Sequence, residues 1–475
     1  MPLALPGLHE YMKSILFFII LLLLITVSCQ QETSSSEFSS AGDEVRLINL
    51  NPGHFHAGLI HLHDYPQVDS KVHVYAPEGN ELNAYLSMVE RFNSRDDQPT
   101  GWIPEVYTGE DYLARMLHEK PGNVMVVAGN NARKINYIKS AIENGINVLS
   151  DKPMIIIPEQ FPVLKEALET ADAQGLVVND MMTERHEITS ILQKELSQIS
   201  ELFGDLKTGS PDEPAIVKES VHFFYKTVAG APLIRPAWFF DVNQQGESIV
   251  DVSTHLVDLI MWQGFPEEPI DYNNPADGVE MVNARVWDTE LTRSQFERIT
   301  NEPNFPDYLM TDVRDDSVLT VTANGEFVFK VRDVYSRVSV LWGFTNPDGG
   351  DTHYSIMRGT RANLVIRQDV EQNFKATLYV EQADDNDPVQ FESILRNALE
   401  QLGNRYPGLY AEAGDYGWKI LIPEQFVETH EEHFTRVTQR YLESFKNGRL
   451  PEWERTNLLT KYYITTRAYE MSRDH

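Results

Sequence analysis

Hydrophobic positions along the chain fall into three regimes. A nearly unbroken apolar run occupies residues 15–27, and a stretch rich in Ser, Glu and Thr with little apolar content follows over 30–43. From residue 44 the apolar positions recur in short runs of strand length, at 44–50, 71–75, 124–128, 147–150 and 176–179. Between the later runs lie helix-like stretches, 132–144 closed by Gly145 and 158–174 with Gly175 behind it. Strands alternating with helices predict a doubly wound parallel sheet.

After about residue 190 the rhythm changes. A helix is predicted over 187–203, then strands over 215–224, 279–287, 317–322, 327–331, 338–344 and 354–366. Asn324-Gly325 between two alternating runs predicts a hairpin turn. These segments predict an open, mostly antiparallel sheet carrying its own helices. The tail from about Phe391 reads as mainly helical, with 453–471 its longest candidate. The fold class expected is α/β. A leader (1–29) and a flexible tether (30–43) precede a parallel-sheet domain (44–186), an α+β domain (187–385) and a helical C-terminal extension (386–475).

The apolar run is shorter than the ~20 residues of a membrane-spanning helix. Lys13 precedes it and Ser28-Cys29 follows, the layout of a secretory signal peptide. Thr26-Val27-Ser28-Cys29 resembles a lipobox, so the chain is expected to be lipid-anchored through Cys29 to a bacterial cell envelope, facing the periplasm or the cell surface. Cys29 is the sole cysteine, which excludes an intramolecular disulfide and a Cys-rich zinc site. The net charge of −31 argues against nucleic acid or an anionic lipid surface as partner.

Three segments carry candidate chemistry. The first is the strand-to-turn junction Asn51-Pro52-Gly53-His54-Phe55-His56-Ala57-Gly58. A dinucleotide site needs a tight turn of little bulk there, so that backbone approaches the pyrophosphate. Gly53 suits that role, but Asn51 and His56 stand where two glycines are usual. An ordinary strand-to-helix turn fits as well. So does a metal site, since His54-x-His56 and His61-x-His63 put four histidines within ten residues. The second segment is Ser150-Asp151-Lys152-Pro153, which puts a lysine at the C-terminal end of a parallel strand, the edge where open sheets bind ligands. An ammonium there can stabilise charge developing on a hydroxyl oxygen, or it is a solvated loop lysine. The third runs from Gly246 to Asp258. Asp251 and His255, four apart, share a face if helical, and an imidazole beside a carboxylate is a competent general base. The bland alternative is a helix-terminal acid and a core histidine.

Together these segments resemble the glucose–fructose oxidoreductase, inositol dehydrogenase and rhizopine-catabolism (Gfo/Idh/MocA) family of sugar oxidoreductases. Asp151-Lys152-Pro153 is similar to its Glu-Lys-Pro motif, and Asp251 to His255 resembles its Asp-x-x-x-His motif. Ile356 to Leu364 is similar to a strand-turn-strand of its C-terminal sheet. The resemblance implies an N-terminal Rossmann domain and a C-terminal domain whose sheet often serves homo-oligomerisation. It implies Lys152, Asp251 and His255 as the catalytic group. Asn51, Gly53, His54, His56, Glu78, Asn130, Asp151 and Lys152 would hold NAD, with Glu78 on the ribose hydroxyls favouring it over NADP. Tyr225, Lys226 and Trp238 would join Asp251 and His255 in binding a carbohydrate, the aromatics stacking a sugar ring or else packing the core. The tail after about Ala383 exceeds what the fold needs and is expected to cover the active site or a partner surface.

The implied reaction is oxidation of a ring hydroxyl. His255 takes its proton, Lys152 holds its oxygen, and Asp251 fixes the imidazole. Free nicotinamide cofactor should be scarce outside the cytoplasm, which points to a redox-neutral cycle with bound cofactor that cleaves a glycoside, or to interconversion of a glycoside with its keto form. Two alternatives stay open. One is a non-catalytic carbohydrate-binding lipoprotein on this scaffold. The other is a metal-dependent hydrolase built on His54 and His56, a pair that also begins amidohydrolase barrels, with Lys152, His186, His222, His255 and Asp258 as further ligands.

Overall fold

The computed structural model describes residues 44–228, 231–383 and 387–474. The leader, Cys29 and the tether lie outside them. Among the described residues no helix is long and apolar enough to cross a membrane.

Strands β1 (Val45–Leu50), β2 (Val68–Ala76), β3 (Ile103–Thr108), β4 (Val124–Val127), β5 (Asn147–Ser150) and β6 (Val178–Asp180) form one sheet in the order β3-β2-β1-β4-β5-β6. All its pairings are parallel. The order reverses between β1 and β4, and ligands bind such sheets in the crevice beyond the strands' C-terminal ends at that point. The continuous apolar run of β4, and the mostly buried β1 and β5, follow from cover on both faces. β3 was not expected. It is an edge strand whose six residues are all at least partly exposed, so its apolar pattern is faint.

The second sheet uses β7 (Ile216–Phe223), β8 (Glu280–Thr292), β9 (Val318–Val331), β10 (Val334–Gly343), β11 (Thr352–Arg358), β12 (Ala362–Gln368), β13 (Thr377–Gln382), β14 (Tyr410–Gly414) and β15 (Gly417–Leu421). Their order is β8-β9-β10-β7-β11-β12-β13-β15-β14, and only β7–β10 pair in parallel. Gly359-Thr360-Arg361 is the turn between β11 and β12, as the resemblance implied. One face packs against helices Ile188–Ser197, Ser253–Gly264 and Pro388–Leu402 in a core that includes Leu192, Leu256, Ile260, Leu395, Phe327 and Val338.

Asn324-Gly325 is not a turn. β9 runs straight through it, opposite Trp287 and Val286 of β8, and the chain reverses instead at Arg332-Asp333. The pair sits beside a register shift between Trp287 and Thr289. Asn324 bridges it, donating to the Trp287 carbonyl (3.1 Å) and Thr289 Oγ1 (2.8 Å) and accepting from the Trp342 N–H (2.8 Å). A Cβ on Gly325 would lie 3.1 Å from Ile249 Cβ, so glycine lets the segment before the Ser253 helix lie against the sheet.

The tail is not helical throughout. The β14–β15 hairpin adds to the sheet's edge, because Trp418 and Ile420 are apolar enough to extend its core. Helices His430–Asn447 and Glu452–Met471 return to the first sheet, where Phe434, Val437, Tyr441 and Leu442 join one core face and Leu458 and Tyr462 the other. The helix after β1 is only four residues long, His56–Leu59, and His430–Asn447 packs beside it.

Candidate active site

The turn after β1 is tight without the full glycine set. Asn51 takes the left-handed conformation (φ 47°), which asparagine tolerates better than most side chains. A Cβ on Gly129 would sit 2.8 Å from the Asn51 carbonyl and 2.9 Å from the Gly53 nitrogen. The loop after β4 therefore braces the turn backbone against backbone. Asn51, Pro52 and Gly53 line a cleft with Pro77, Glu78, Gly79 and Glu81 beyond β2, Asn130 beyond β4, and Trp238. The cleft thus lies where the strand order reverses. Glu78 and Glu81 put two carboxylates on its wall.

Asp151 and Lys152 follow β5 directly. The buried Asp151 carboxylate receives His56 Nδ1 at 3.0 Å and faces His54 Nδ1 at 3.2 Å. Burial works against its charge, yet the imidazoles of His56 and His54 and the Lys134 ammonium hold its pKa well below the carboxylate range. Lys134, fully buried, donates to the Asp151 carbonyl at 3.1 Å, and burial lowers its pKa to about 8. Burial also lowers His56 to about 3, against the pull of Asp151.

Lys152 Nζ meets Asp251 Oδ1 at 2.6 Å, a bond that ties the segment after β5 to the one before the Ser253–Gly264 helix. Gln245 Nε2 donates to Asp251 Oδ2 at 2.9 Å. Gln245 is itself placed by the loop after β4: Asn131 donates to its carbonyl at 2.7 Å, and Asn130 Nδ2 to Gln244 Oε1 at 2.6 Å. Asp251 precedes the Ser253–Gly264 helix and does not fix His255, as spacing alone suggested. Both its oxygens go to Lys152 and Gln245. His255 lies in the first turn of that helix, its Nδ1 buried without a hydrogen-bond partner. Burial and the Lys152 charge lower its pKa well below the usual imidazole value, so the ring is neutral at pH 7.

The remaining expected residues scatter. Trp238 lines the cleft with the turn after β1. Tyr225 stacks on Phe344 with the Arg298 guanidinium 3.9 Å from its ring centre, and Lys226 Nζ pairs with Asp351 at 2.6 Å. Phe224 and Phe240 are buried in an apolar cluster, so those aromatics build core. The hydrolase alternative fails on the fold: the first sheet has six strands and is open, not a closed eight-stranded barrel. Its later ligands are engaged elsewhere, Asp258 with Arg185 and Lys461, His222 with Ser220 and Asp351.

The tail was expected to cover the active site or a partner surface, but the buried polar network through which it docks was not foreseen. Arg185 grips Asp258 with Nε and Nη2, each at 2.6 Å, and reaches Glu454 with Nη1 at 2.8 Å. Lys461 Nζ lies 2.9 Å from Asp180 Oδ2, at the end of β6, and 3.1 Å from Asp258 Oδ1. Tyr462 donates to Asp180 Oδ2 at 2.8 Å. This buried network joins the last helix to the helix that carries His255. Charged residues spaced along a helix otherwise read as a solvated face, so no local signal marked it.

The two-sheet α/β fold places the chain among the oxidoreductases that the comparisons identify. The family described as "Putative oxidoreductase C terminal domain" matches residues 192–473. A crystal structure of a "putative oxidoreductase" from Parabacteroides merdae is 47% identical and superposes with a TM-score of 0.88, over 91% of this chain and 98% of that one. The chain belongs to this Gfo/Idh/MocA-type oxidoreductase family. Levoglucosan dehydrogenase in complex with NADH is similar in fold at 12% identity (TM-score 0.57, 90% and 97% of the two chains). So is GenD2 from gentamicin A biosynthesis in complex with NAD, at 14% identity (TM-score 0.56, 91% and 95%). No relative was found among curated proteins.

Proposed function

We propose that this protein is an NAD-dependent oxidoreductase acting on a ring hydroxyl of a sugar or glycoside. The observation that carries the reading is the 2.6 Å pair of Lys152 and Asp251, set beyond β5 beside a neutral His255. The solved relatives named for levoglucosan and complexed with NADH or NAD support the substrate class and cofactor. When bound, the nicotinamide supplies a hydride acceptor. Lys152 Nζ holds the substrate hydroxyl oxygen and stabilises the negative charge that grows on it. His255 receives the hydroxyl proton on its imidazole. Asp251, held by Gln245, keeps the ammonium in place and offers an oxygen to neighbouring hydroxyls.

The proposal extends to a lipoprotein anchored through Cys29 and to a redox-neutral cycle. The hydroxyl is oxidised to a ketone, which acidifies the adjacent C–H; loss of that proton expels the glycosidic group from the next carbon, water adds across the double bond so formed, and the ketone is reduced again by the hydride first removed. Such a cycle consumes no cofactor, which suits a compartment poor in it. The test is calorimetric titration with NAD, followed by incubation with a panel of glycosides and analysis of released sugars. Binding of NAD and appearance of keto-sugar or free sugar are expected. Failure to bind NAD would sink the reading.

A further inference from the structure

His54, His56 and Asp151 come from two separate strand ends, β1 and β5, and converge. One ligand atom from each lies within 4.8 Å of the other two. Both imidazoles present Nδ1 to the same carboxylate, at 3.2 and 3.0 Å. His56 and Asp151 are buried, while His54 keeps about a quarter of its side chain exposed. Two imidazoles and one carboxylate are the donor set of many zinc, cobalt and iron(II) sites, and three protein donors leave coordination positions open. Hydrogen bonding leaves part of the arrangement unexplained. His56 Nδ1 bonds to Asp151, but His54 Nδ1 is buried and makes no well-formed hydrogen bond.

We infer that His54, His56 and Asp151 form a binding site for a divalent transition-metal ion, with its open positions on the His54 side toward the nucleotide cleft. His54 adjoins Gly53, which lines that cleft. This location gives the ion a task. A dinucleotide's diphosphate is ordinarily held by a glycine-rich turn and the N-terminus of a full helix. Here two of the glycine places hold Asn51 and His56, and the helix is four residues long. A bound cation replaces that missing positive potential, and its open positions suit phosphate oxygens. The coupling to nucleotide rests on the proposed function; the metal site itself does not.

The experiment is titration of the purified, tag-free, metal-stripped full chain with Zn²⁺ by calorimetry and with Co²⁺ by visible absorption, both without nucleotide. One ion per chain is expected, with a cobalt spectrum of low symmetry. His54→Ala removes the most exposed ligand and is expected to weaken binding at least ~10-fold, the loss seen even for residues that only support metal ligands. Asp151→Asn, checked for folding by circular dichroism, is a second variant. Absence of stoichiometric binding, or binding that survives both substitutions unchanged, overturns the site. NAD is then titrated with and without Zn²⁺. Tighter NAD binding with zinc, lost in His54→Ala, supports the diphosphate role by reciprocity. An NAD affinity indifferent to zinc overturns that role. NAD binding with no zinc binding overturns the metal site and leaves the oxidoreductase reading intact.

Discussion

The backbone N–H of Met154, two residues past Lys152, donates to the hydroxyl of Tyr462 at 3.0 Å. The same hydroxyl donates to Asp180 at the end of β6. One side chain of the last helix thus pins the segment that aims the candidate catalytic lysine. Tyr462→Phe strands the Met154 N–H and leaves Asp180 Oδ2 to Lys461 alone. A loss of about 1–3 kcal/mol is expected from urea denaturation. A midpoint equal to that of the natural chain would remove Tyr462 from this account.

Lys461 is the sharper case, because it sits between two buried carboxylates. Lys461→Met leaves Asp180 and Asp258 without their shared cation. Breaking a buried ion pair by removing one partner costs about 3–5 kcal/mol. The same denaturation measurement checks it. A change below ~1 kcal/mol would show that Arg185 alone compensates Asp258.

Catalysis should separate from nucleotide binding. Lys152→Met and His255→Ala are each expected to lower turnover on a competent glycoside by roughly 10²–10⁴-fold, the range for lost general acid–base groups. NAD affinity should change only a few-fold. Because the folded pKa of His255 lies well below 6.5, it stays a proton acceptor as pH falls through 6.5, and activity should persist below that point. An acid limb centred at 6.5 or above, in the pH profile of kcat/KM, would contradict the role given to this imidazole.

Acid should destabilise the fold early. His56, His61, His186 and His353 are all lowered to about 3, each chiefly by burial. Unfolded histidines take up protons from about pH 6.5 downward, while these folded ones resist until about 3. The unfolded state therefore binds more protons across that window, and stability is lost as pH falls through it. Each such histidine contributes a slope of about 1.4 kcal/mol per pH unit. His61→Gln should flatten the dependence of the unfolding free energy on pH between 6 and 4 by roughly that amount. An unchanged slope would mean that His61 titrates normally.

Nucleotide choice is expected to follow the two carboxylates beyond β2. Glu78 and Glu81 both border the cleft, and a 2′-phosphate there would meet like charge. Replacing both by Gln should raise NADP affinity relative to NAD on the order of tenfold, about 1.4 kcal/mol. Competitive titration of the two nucleotides reads this directly, and an unaltered ratio would place the ribose elsewhere.

Five of the six strands of the first sheet were legible because their buried residues write short apolar runs, continuous in β4 and interrupted by polar residues in β1, β2 and β5. β3 was hidden by its exposed edge position. Lys152, Asp251 and His255 could be singled out because their spacing to strand ends and helix starts is local. Their partners were not visible, since Gln245 reaches Asp251 only after the loop at Asn130 and Asn131 has docked. Asn324-Gly325 misled for a physical reason: the same two residues that close a hairpin also serve where a strand needs a side-chain bridge and a bare Cα. The tail's polar residues gave no sign of burial, as Lys461 and Glu454 find their counter-charges in segments some 200 to 280 residues away.

The two tail helices complete both core faces of the first sheet, through Phe434, Tyr441 and Leu442 on one and Leu458 and Tyr462 on the other. A chain made from its N-terminus therefore exposes these unfinished surfaces until nearly its last residue has emerged. The parallel-sheet half, first to be synthesised, is among the last parts to mature.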